Sequence, residues 1–362
     1  MSHRSRAVTA VLSCALLAVL VACSPSSEAP TDASTDAAPA GDVATPEELV
    51  VYSERREPLI QPVFERYTEE TGIAVRYLTD STPVLVERLV AEGENTRADI
   101  LMAVDAGNLW QAAERGVLAP LESAELEAAI PSNYRDPQGR WFGLSLRART
   151  IVHSTERVEP GELSTYEDLA DPKWRGRLCL RSSRKVYNQS LTATLIERLG
   201  AERAEEVLAG WVANLAAEPF PDDTMLINAV AAGQCDVGIV NTYYFGRVQR
   251  ETPDVPVAIF WPNQPGAGDS DGSGVHVNVS GAGITAHAPN PEAAREFLEW
   301  LASEPVQEQF AEVNFEFPAR RGVDVDPLVA AWGEFEADPV DVVVAGERQS
   351  EAVQMMDRVG WR

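Results

Sequence analysis

The amino-acid sequence predicts an α/β fold with mostly parallel sheets and flanking helices. Between residues 49 and 105, short apolar runs typical of buried strands alternate with longer segments whose apolar residues recur at helical spacing. The folded part, from about Pro46 to Arg362, is also long enough for two lobes.

The predicted elements follow in chain order, with strands bounded by turn residues and helices by helix-stop signals. In the first part, strands are predicted at 49–52, 73–78 and 98–105, and helices at 58–71 and 83–93. Further along, helices are predicted at 188–200, 204–217 and 291–302. Gly72 and Gly93 are the expected stops of the first two helices.

Two extended segments are predicted to carry the chain between the lobes. Leu144–Val152 follows a stretch interrupted by prolines and glycine, and Val275–Val279 would return the chain. Lobe 1 then comprises 46–145 plus 275–323, and lobe 2 comprises 146–274 plus 324–362.

The N-terminal residues are typical of a lipoprotein export signal. A positively charged start precedes an apolar run, and Leu20-Val-Ala-Cys23 resembles a lipoprotein cleavage box. This pattern predicts a signal peptide at 1–22, a lipid on Cys23 and a disordered tether over 23–45, where the composition is Ser, Pro, Ala, Thr, Asp and Gly. We expect a protein anchored to the cell membrane, facing the periplasm or the exterior.

Charge and motif content exclude several classes of function. With 30 basic and 56 acidic residues, the net charge is −26, which disfavours nucleic acid as a partner. The sequence has neither the Gly-x-Ser-x-Gly string nor the His-Glu-x-x-His string of common hydrolases. We therefore expect a binding protein, not an enzyme.

Two cysteines remain once Cys14 leaves with the signal peptide and Cys23 takes a lipid. In an exported protein, Cys179 and Cys235 favour a disulfide over two free thiols. Cys179 precedes Tyr187 by the same spacing that separates Cys235 from Tyr243. A disulfide would therefore hold together two segments that carry tyrosines.

The most informative residues are these tyrosines. Tyr243 and Tyr244 end a buried-strand pattern, and Tyr187 lies far upstream. A phenol loses its proton near pH ~10, so clustered phenols become useful ligands only for a strongly polarising cation. Ferric iron prefers anionic oxygen, whereas zinc or copper would call for Cys or His clusters, which are absent from the sequence. Taken alone, the tyrosine pair also fits ordinary packing beside a sheet.

Several strings in the folded part resemble one family, the bacterial ferric-ion-binding proteins, also called bacterial transferrins. The Asn-Thr-Tyr-Tyr string, with Tyr-Asn-Gln-Ser upstream, is the specific element. The resembling segments keep the order of the family: Val51–Arg56, Ala98–Leu109, Trp141–Arg149, Leu178–Ser183, Val186–Leu191, Cys235–Tyr244 and Val277–Gly283.

The resemblance implies a two-lobed fold of the type II periplasmic-binding-protein class that closes on one Fe³⁺ in the cleft. It implies that Tyr187, Tyr243 and Tyr244 are phenolate ligands to the metal. It further implies a monomer that serves as the substrate-binding receptor of an ABC importer, with a permease in the membrane as partner.

The sequence departs from this family just after the first strand, where many relatives place His, or His then Tyr, as further ligands. Here the positions hold Arg56 and Glu57. An arginine cannot coordinate a metal, but Glu57 could donate an oxygen. Carbonate or a similar synergistic anion could be held by arginine, and the candidates are Arg55, Arg56, Arg147 and Arg149. Each of these side chains could equally be a solvated or salt-bridged group.

Two alternative functions keep the same fold. The first is a solute-binding protein for a small organic anion or a polyamine, recognised by the arginines or the acids of the cleft. The second is a surface interaction or sensory protein that imports nothing. Elemental analysis and the neighbouring genes discriminate among the three.

Overall fold

The computed structural model describes residues 48–266 and 272–362. The predicted signal peptide (1–22), the lipidation site Cys23 and the tether (23–45) lie outside the described residues. Within the described ranges, none of the helices has both the length and the apolar character needed to cross a bilayer.

The described chain alternates strands and helices, as predicted. The strands are β1 Glu48–Ser53, β2 Ala74–Thr79, β3 Ile100–Ala103, β4 Phe142–Ser154, β5 Leu178–Cys179, β6 Val237–Asn241, β7 Val257–Phe260, β8 Val277–Ile284 and β9 Phe317–Pro318. The helices are α1 Glu57–Thr71, α2 Thr82–Glu92, α3 Ala106–Glu114, α4 Ala124–Ala129, α5 Val186–Leu199, α6 Ala201–Ala213, α7 Asp223–Ala231, α8 Thr242–Glu251, α9 Pro291–Leu301, α10 Glu304–Asn314, α11 Pro327–Ala330, α12 Val344–Glu347 and α13 Gln349–Arg358.

Local sequence explains where several helices begin and end. Gly72 adopts the left-handed conformation (φ 79°) and donates its backbone N–H to Thr68, which terminates α1 as the sequence predicts. Asp105 caps α3 by accepting from the backbone N–H of Gly107, and Asp222 caps α7 in the same manner.

The main path through the sheet has the strand order β2-β1-β3-β8-β4-β6-β5, and β7 and β9 also pair with β4. β1 pairs in parallel with β2 and β3, and β5 pairs in parallel with β6. The long strands β4 and β8 pair antiparallel with each other and with their remaining neighbours. The predicted parallel pairing therefore holds at both ends of the sheet and not for the two crossing strands.

β4 is the element that joins the two halves. Its first part, through Ala148, pairs with β8, whereas from Arg149 onward it pairs with β6, and the stretch Ile151–Ser154 also pairs with β7. One hydrophobic core lies among β1, β3, α1 and α9, and another surrounds Trp174, Trp211 and Trp361. Separate cores on either side of the crossing strands are what a two-lobed fold requires. The exact lobe boundaries given above stay predictions.

Candidate metal site

A cleft of about 630 Å³ brings the three predicted tyrosines together. Each lies in the first turn of a helix: Tyr187 is the second residue of α5, and Tyr243 and Tyr244 are the second and third residues of α8. The positive end of a helix dipole stabilises negative charge, so both helix starts favour phenolates. The tyrosine pair follows the predicted buried strand, but it belongs to the helix and not to the strand end.

The three phenols converge. The side chains of Tyr187 and Tyr243 lie close enough to interact electrostatically, and both line the cleft together with Tyr244. The rings of Tyr243 and Tyr244 pack together with their centroids 4.4 Å apart and their planes tilted by 34°. Two distant stretches of sequence therefore place three phenol side chains at one point.

The disulfide predicted between Cys179 and Cys235 is confirmed. Cys179 ends β5, and Cys235 lies just before β6, which leads directly into α8. β5 and β6 are also parallel neighbours in the sheet. The cross-link thus fixes the strand that precedes Tyr187 to the strand that precedes the tyrosine pair.

Burial in the cleft raises the pKa of Tyr187 and of Tyr243. Burial, countered in part by Arg147, raises the pKa of Tyr187 to about 12. Burial also raises the pKa of Tyr243 well above its ordinary value, and repulsion from the neighbouring phenols adds to the effect. Both groups are neutral at physiological pH, so a metal must displace their protons to bind.

Basic side chains surround the phenols. Arg181 lies 5.6 Å from the ring centres of Tyr187 and Tyr244, and its Nη1 donates to the Tyr244 hydroxyl at 3.5 Å. Arg247 lies 5.0 Å from the ring centre of Tyr243. These cations would offset the charge of phenolates once formed.

Arg181 and Arg247 were missed in the sequence. Arg247 stands four residues after Tyr243 on α8, which is a helical-face spacing. A helix predicted to begin at the tyrosine pair would have placed Arg247 beside Tyr243. Arg181 lies two residues after β5, in a bridge with Phe220, and no local pattern gives a signal for this long-range pairing.

Two of the predicted anion-binding arginines line the cleft as buried side chains. Arg55 donates to Ser145 (2.6 Å) and to the carboxylate of Glu316 (2.5 Å), so its charge is already matched. Arg147 donates through its two terminal nitrogens to Ser280 and to the Val279 carbonyl. Its buried Nε has no hydrogen-bond partner among the described residues, which leaves one N–H for an anion.

Arg56 also lines the cleft, but as an exposed side chain at its rim. Among the described residues it has no hydrogen bond or ion pair through its side chain. Its position allows contact with a bound anion only at the cleft entrance.

Arg149 does not line the cleft, contrary to the prediction. Its side chain is buried and donates to Asn188, Asp223 and Asn241 and to the Ile239 carbonyl. These partners lie in α5, in α7 and in β6, so Arg149 links α5, which carries Tyr187, to the strand that precedes Tyr243 and Tyr244. Four of its five N–H donors are already used within the protein.

Glu57 is also placed away from the cleft. It is the exposed first residue of α1, and its carboxylate accepts from the Tyr77 hydroxyl at 2.9 Å. Glu57 is thus not among the residues that line the cleft, and its role as a metal ligand stays a prediction that this position does not favour. Glu54, three residues earlier, lines the cleft instead.

The donor set of the cleft fits a hard trivalent ion. Within 48–266 and 272–362, there is no group of three or more His, Cys, Asp or Glu placed to hold a metal. The convergent ligands are phenol oxygens, with carboxylates at the same cleft. Among the residues that the structure describes, no Cys or His lines this cleft, and anionic oxygen without thiolate or imidazole suits ferric iron and not zinc or copper.

Comparison with known proteins agrees with this geometry. Residues 63–337 match the family described as bacterial extracellular solute-binding protein. The chain belongs to that family. Iron uptake protein A1 of Synechocystis is 41% identical over 335 residues, covering 91% of each chain. Iron uptake protein A2 of the same organism is 42% identical over 318 residues, covering 86% of this chain and 89% of the relative.

Solved structures extend the comparison to the fold. Trichodesmium IdiA (FutA), in complex with iron and citrate ligands, is 43% identical and superposes with a TM-score of 0.82 over 87% of this chain and 100% of that chain. A ferric binding protein from Campylobacter jejuni is 32% identical, with a TM-score of 0.80 over 87% of this chain and 100% of that chain. The predicted resemblance to ferric-ion-binding proteins and the two-lobed type II fold are confirmed.

Proposed function

We propose that this protein captures ferric iron outside the cytoplasm and delivers it to an ABC permease in the membrane. The observation that carries the proposal is the meeting of Tyr187, Tyr243 and Tyr244 at two helix N-termini inside a cleft lined with basic side chains. Similarity to proteins named for iron uptake supports the same cargo. The protein acts by binding, with no reaction on the cargo.

The chemistry of capture follows from the phenols. Three phenolates neutralise the charge of Fe³⁺, and each must lose a proton before it binds. Because protons and iron compete for the same oxygens, iron is held less tightly in acid. A carbonate-like anion on the free Nε of Arg147 would fill a further coordination position, with Arg55 and Arg56 nearby in the cleft.

Delivery depends on closure of the cleft. Iron held by residues from both sides of the cleft stabilises the closed form, because only that form makes all the contacts. A permease that recognises the closed form then selects the loaded protein. A lipid on Cys23 would keep the receptor at the membrane surface as a monomer, with residues 23–45 as the tether.

The visible spectrum tests the ligand assignment. Protein loaded with Fe³⁺ should turn orange to red through charge transfer from phenolate to iron. The double variant Tyr187→Phe, Tyr243→Phe should lose this band and its stoichiometric iron. Tyr77→Phe is the matched control, because Tyr77 lies away from the cleft and bonds Glu57, and it should keep the full band.

Two outcomes would contradict the proposal. Full colour and binding in the double variant would remove the tyrosines from the site. A wild-type protein that purifies without stoichiometric iron by elemental analysis, and does not bind added Fe³⁺, would favour an organic anion or a polyamine as cargo.

A further inference from the structure

Glu54 is an acid of the cleft to which no role has yet been given. It directly follows β1, and its backbone N–H donates to the Met102 carbonyl at 2.9 Å. In open α/β sheets, ligands bind beyond the carboxyl ends of the strands, which is where this residue lies. Its half-buried side chain lines the same cleft as Tyr187 but starts from the opposite half of the fold.

The carboxylate of Glu54 is held by one of its two oxygens. Oε2 accepts from Thr82 Oγ1 (2.5 Å), Asn108 Nδ2 (3.2 Å) and the backbone N–H of Val104 (3.3 Å). In the described ranges, Oε1 has no hydrogen bond and the side chain forms no salt bridge. Three donors on one oxygen fix the orientation of the group and leave the other oxygen available to a ligand in the cleft.

The charged side chains around the cleft are compatible with a further anionic ligand from Glu54. Glu316, the other buried acid of the cleft, is neutralised by Arg55. Arg147 and Arg247 line the cleft with no ion pair to a carboxylate in the part of the chain that the structure describes. A fourth anionic ligand on Fe³⁺ would give the centre one net negative charge, which these two cations offset.

Glu54 also interacts electrostatically with the tyrosines. Its charge contributes to the raised pKa of Tyr187, although burial is the larger cause. Once Tyr187 binds a trivalent ion, the same proximity becomes attractive, because the carboxylate then faces a metal instead of a phenol.

We infer that Glu54 Oε1 is a fourth protein ligand to the iron, donated across the cleft from the end of β1. The inference rests on the proposed function. It replaces the sequence-based candidate Glu57, whose carboxylate bonds Tyr77. Since the phenols belong to α5 and α8, Glu54 is the side chain that makes iron a bridge between the two halves, so that binding and closure are coupled.

The variant that tests the inference is Glu54→Gln, with Glu57→Gln as the matched control. Glutamine keeps the shape of the side chain, and its amide oxygen can still accept the three donors that hold Oε2. The amide NH₂ group then replaces the free oxygen and cannot coordinate a metal. Iron affinity is measured by competition with citrate over a range of chelator concentrations.

We expect Glu54→Gln to retain the charge-transfer band, because the phenolates remain, but to lose iron to citrate with at least tenfold lower affinity. Glu57→Gln should match the wild type. Equal affinities in all three proteins would overturn the inference while leaving the proposed function intact. If instead the wild type shows no band, the proposed function itself fails.

A spectroscopic readout separates coordination from a structural effect. With Ga³⁺ as a diamagnetic substitute and glutamate labelled with ¹³C at the carboxyl carbon, one side-chain resonance should move on loading in the wild type and in Glu57→Gln. It should be missing from Glu54→Gln. If Glu54→Gln does not fold, Glu54→Asp serves to assign the resonance, and absence of any shifted glutamate resonance in the wild type refutes the inference.

Discussion

Removal of the Cys179–Cys235 disulfide should cost stability by an amount that follows from the length of chain it closes. The two cysteines are separated by 56 positions. In the chain-entropy treatment, a loop of that size restricts the unfolded state by about 4 kcal/mol. Both cysteines are buried, so Ala is a better replacement than Ser, whose hydroxyl would need a buried partner.

The assay is equilibrium unfolding of the metal-free protein in urea, followed by tryptophan fluorescence. The variant Cys179→Ala, Cys235→Ala should lose about 4 kcal/mol of unfolding free energy relative to the oxidised wild type. The wild type under reductant is the control, since it lacks the cross-link but keeps both sulfur atoms. The variant should still bind iron, because β5 and β6 stay paired. If the unfolding free energy falls by less than about 1 kcal/mol both in the double variant and in the reduced wild type, the entropic reasoning is refuted.

Two further predictions concern buried ionisable groups. Arg149→Met removes one of the two arginines paired with the buried carboxylate of Asp223 and leaves only Arg181. It should cost about 3 kcal/mol in urea unfolding, whereas the exposed Arg56→Met should change little. Equal effects would contradict the structural role of Arg149. Burial, with repulsion from nearby arginines, lowers the pKa of His276 to about 3. In the unfolded state the His276 imidazole is protonated below pH ~6.5, whereas in the folded state it stays neutral until about pH 3. The free energy of unfolding therefore decreases as the pH drops from ~6.5 towards 3. His276→Gln should reduce this loss of unfolding free energy between pH 7 and pH 4, whereas the exposed His287→Gln should not. If the wild type and both variants show the same slope of unfolding free energy against pH, His276 is not the group responsible.

The elements with strong local signals were predictable. The helix that ends at Gly72 has both apolar periodicity and a glycine stop, and the structure terminates α1 there. The run before Tyr243 is continuously apolar, and it is the buried strand β6. What the local pattern does not reveal is that the next turn is already helical, because a buried strand and the start of a buried helix share an apolar composition.

The functional side chains were predictable only where residue chemistry was distinctive. Phenols are uncommon ligands, so three of them in a resembling order were enough to predict a candidate metal site, and the structure places all three in one cleft. Arginines and glutamates are common on every surface, so their roles depend on long-range placement. Arg147 and Arg149 lie two positions apart on β4, yet the strand changes partners between them, which leaves one in the cleft and the other behind it.

The choice between Glu54 and Glu57 shows the same limit. Both residues follow the first strand, and the family resemblance favours Glu57 because it stands where relatives carry a ligand, whereas no local signal points to Glu54. Thr82 and Asn108 donate hydrogen bonds that orient the Glu54 carboxylate, whereas the Tyr77 hydroxyl donates to Glu57 outside the cleft. These partners come from later segments, and only the assembled sheet brings them close.

The location of all three phenols on α5 and α8 has a kinetic consequence. A site with most of its donors on one wall can load from an open mouth, before any large movement takes place. Under the proposed mechanism, the rate of iron uptake is then set by how fast protons leave the phenols. The residence time of bound iron is set by how long the cleft stays closed. Mutations in the two walls could therefore alter uptake and loss independently.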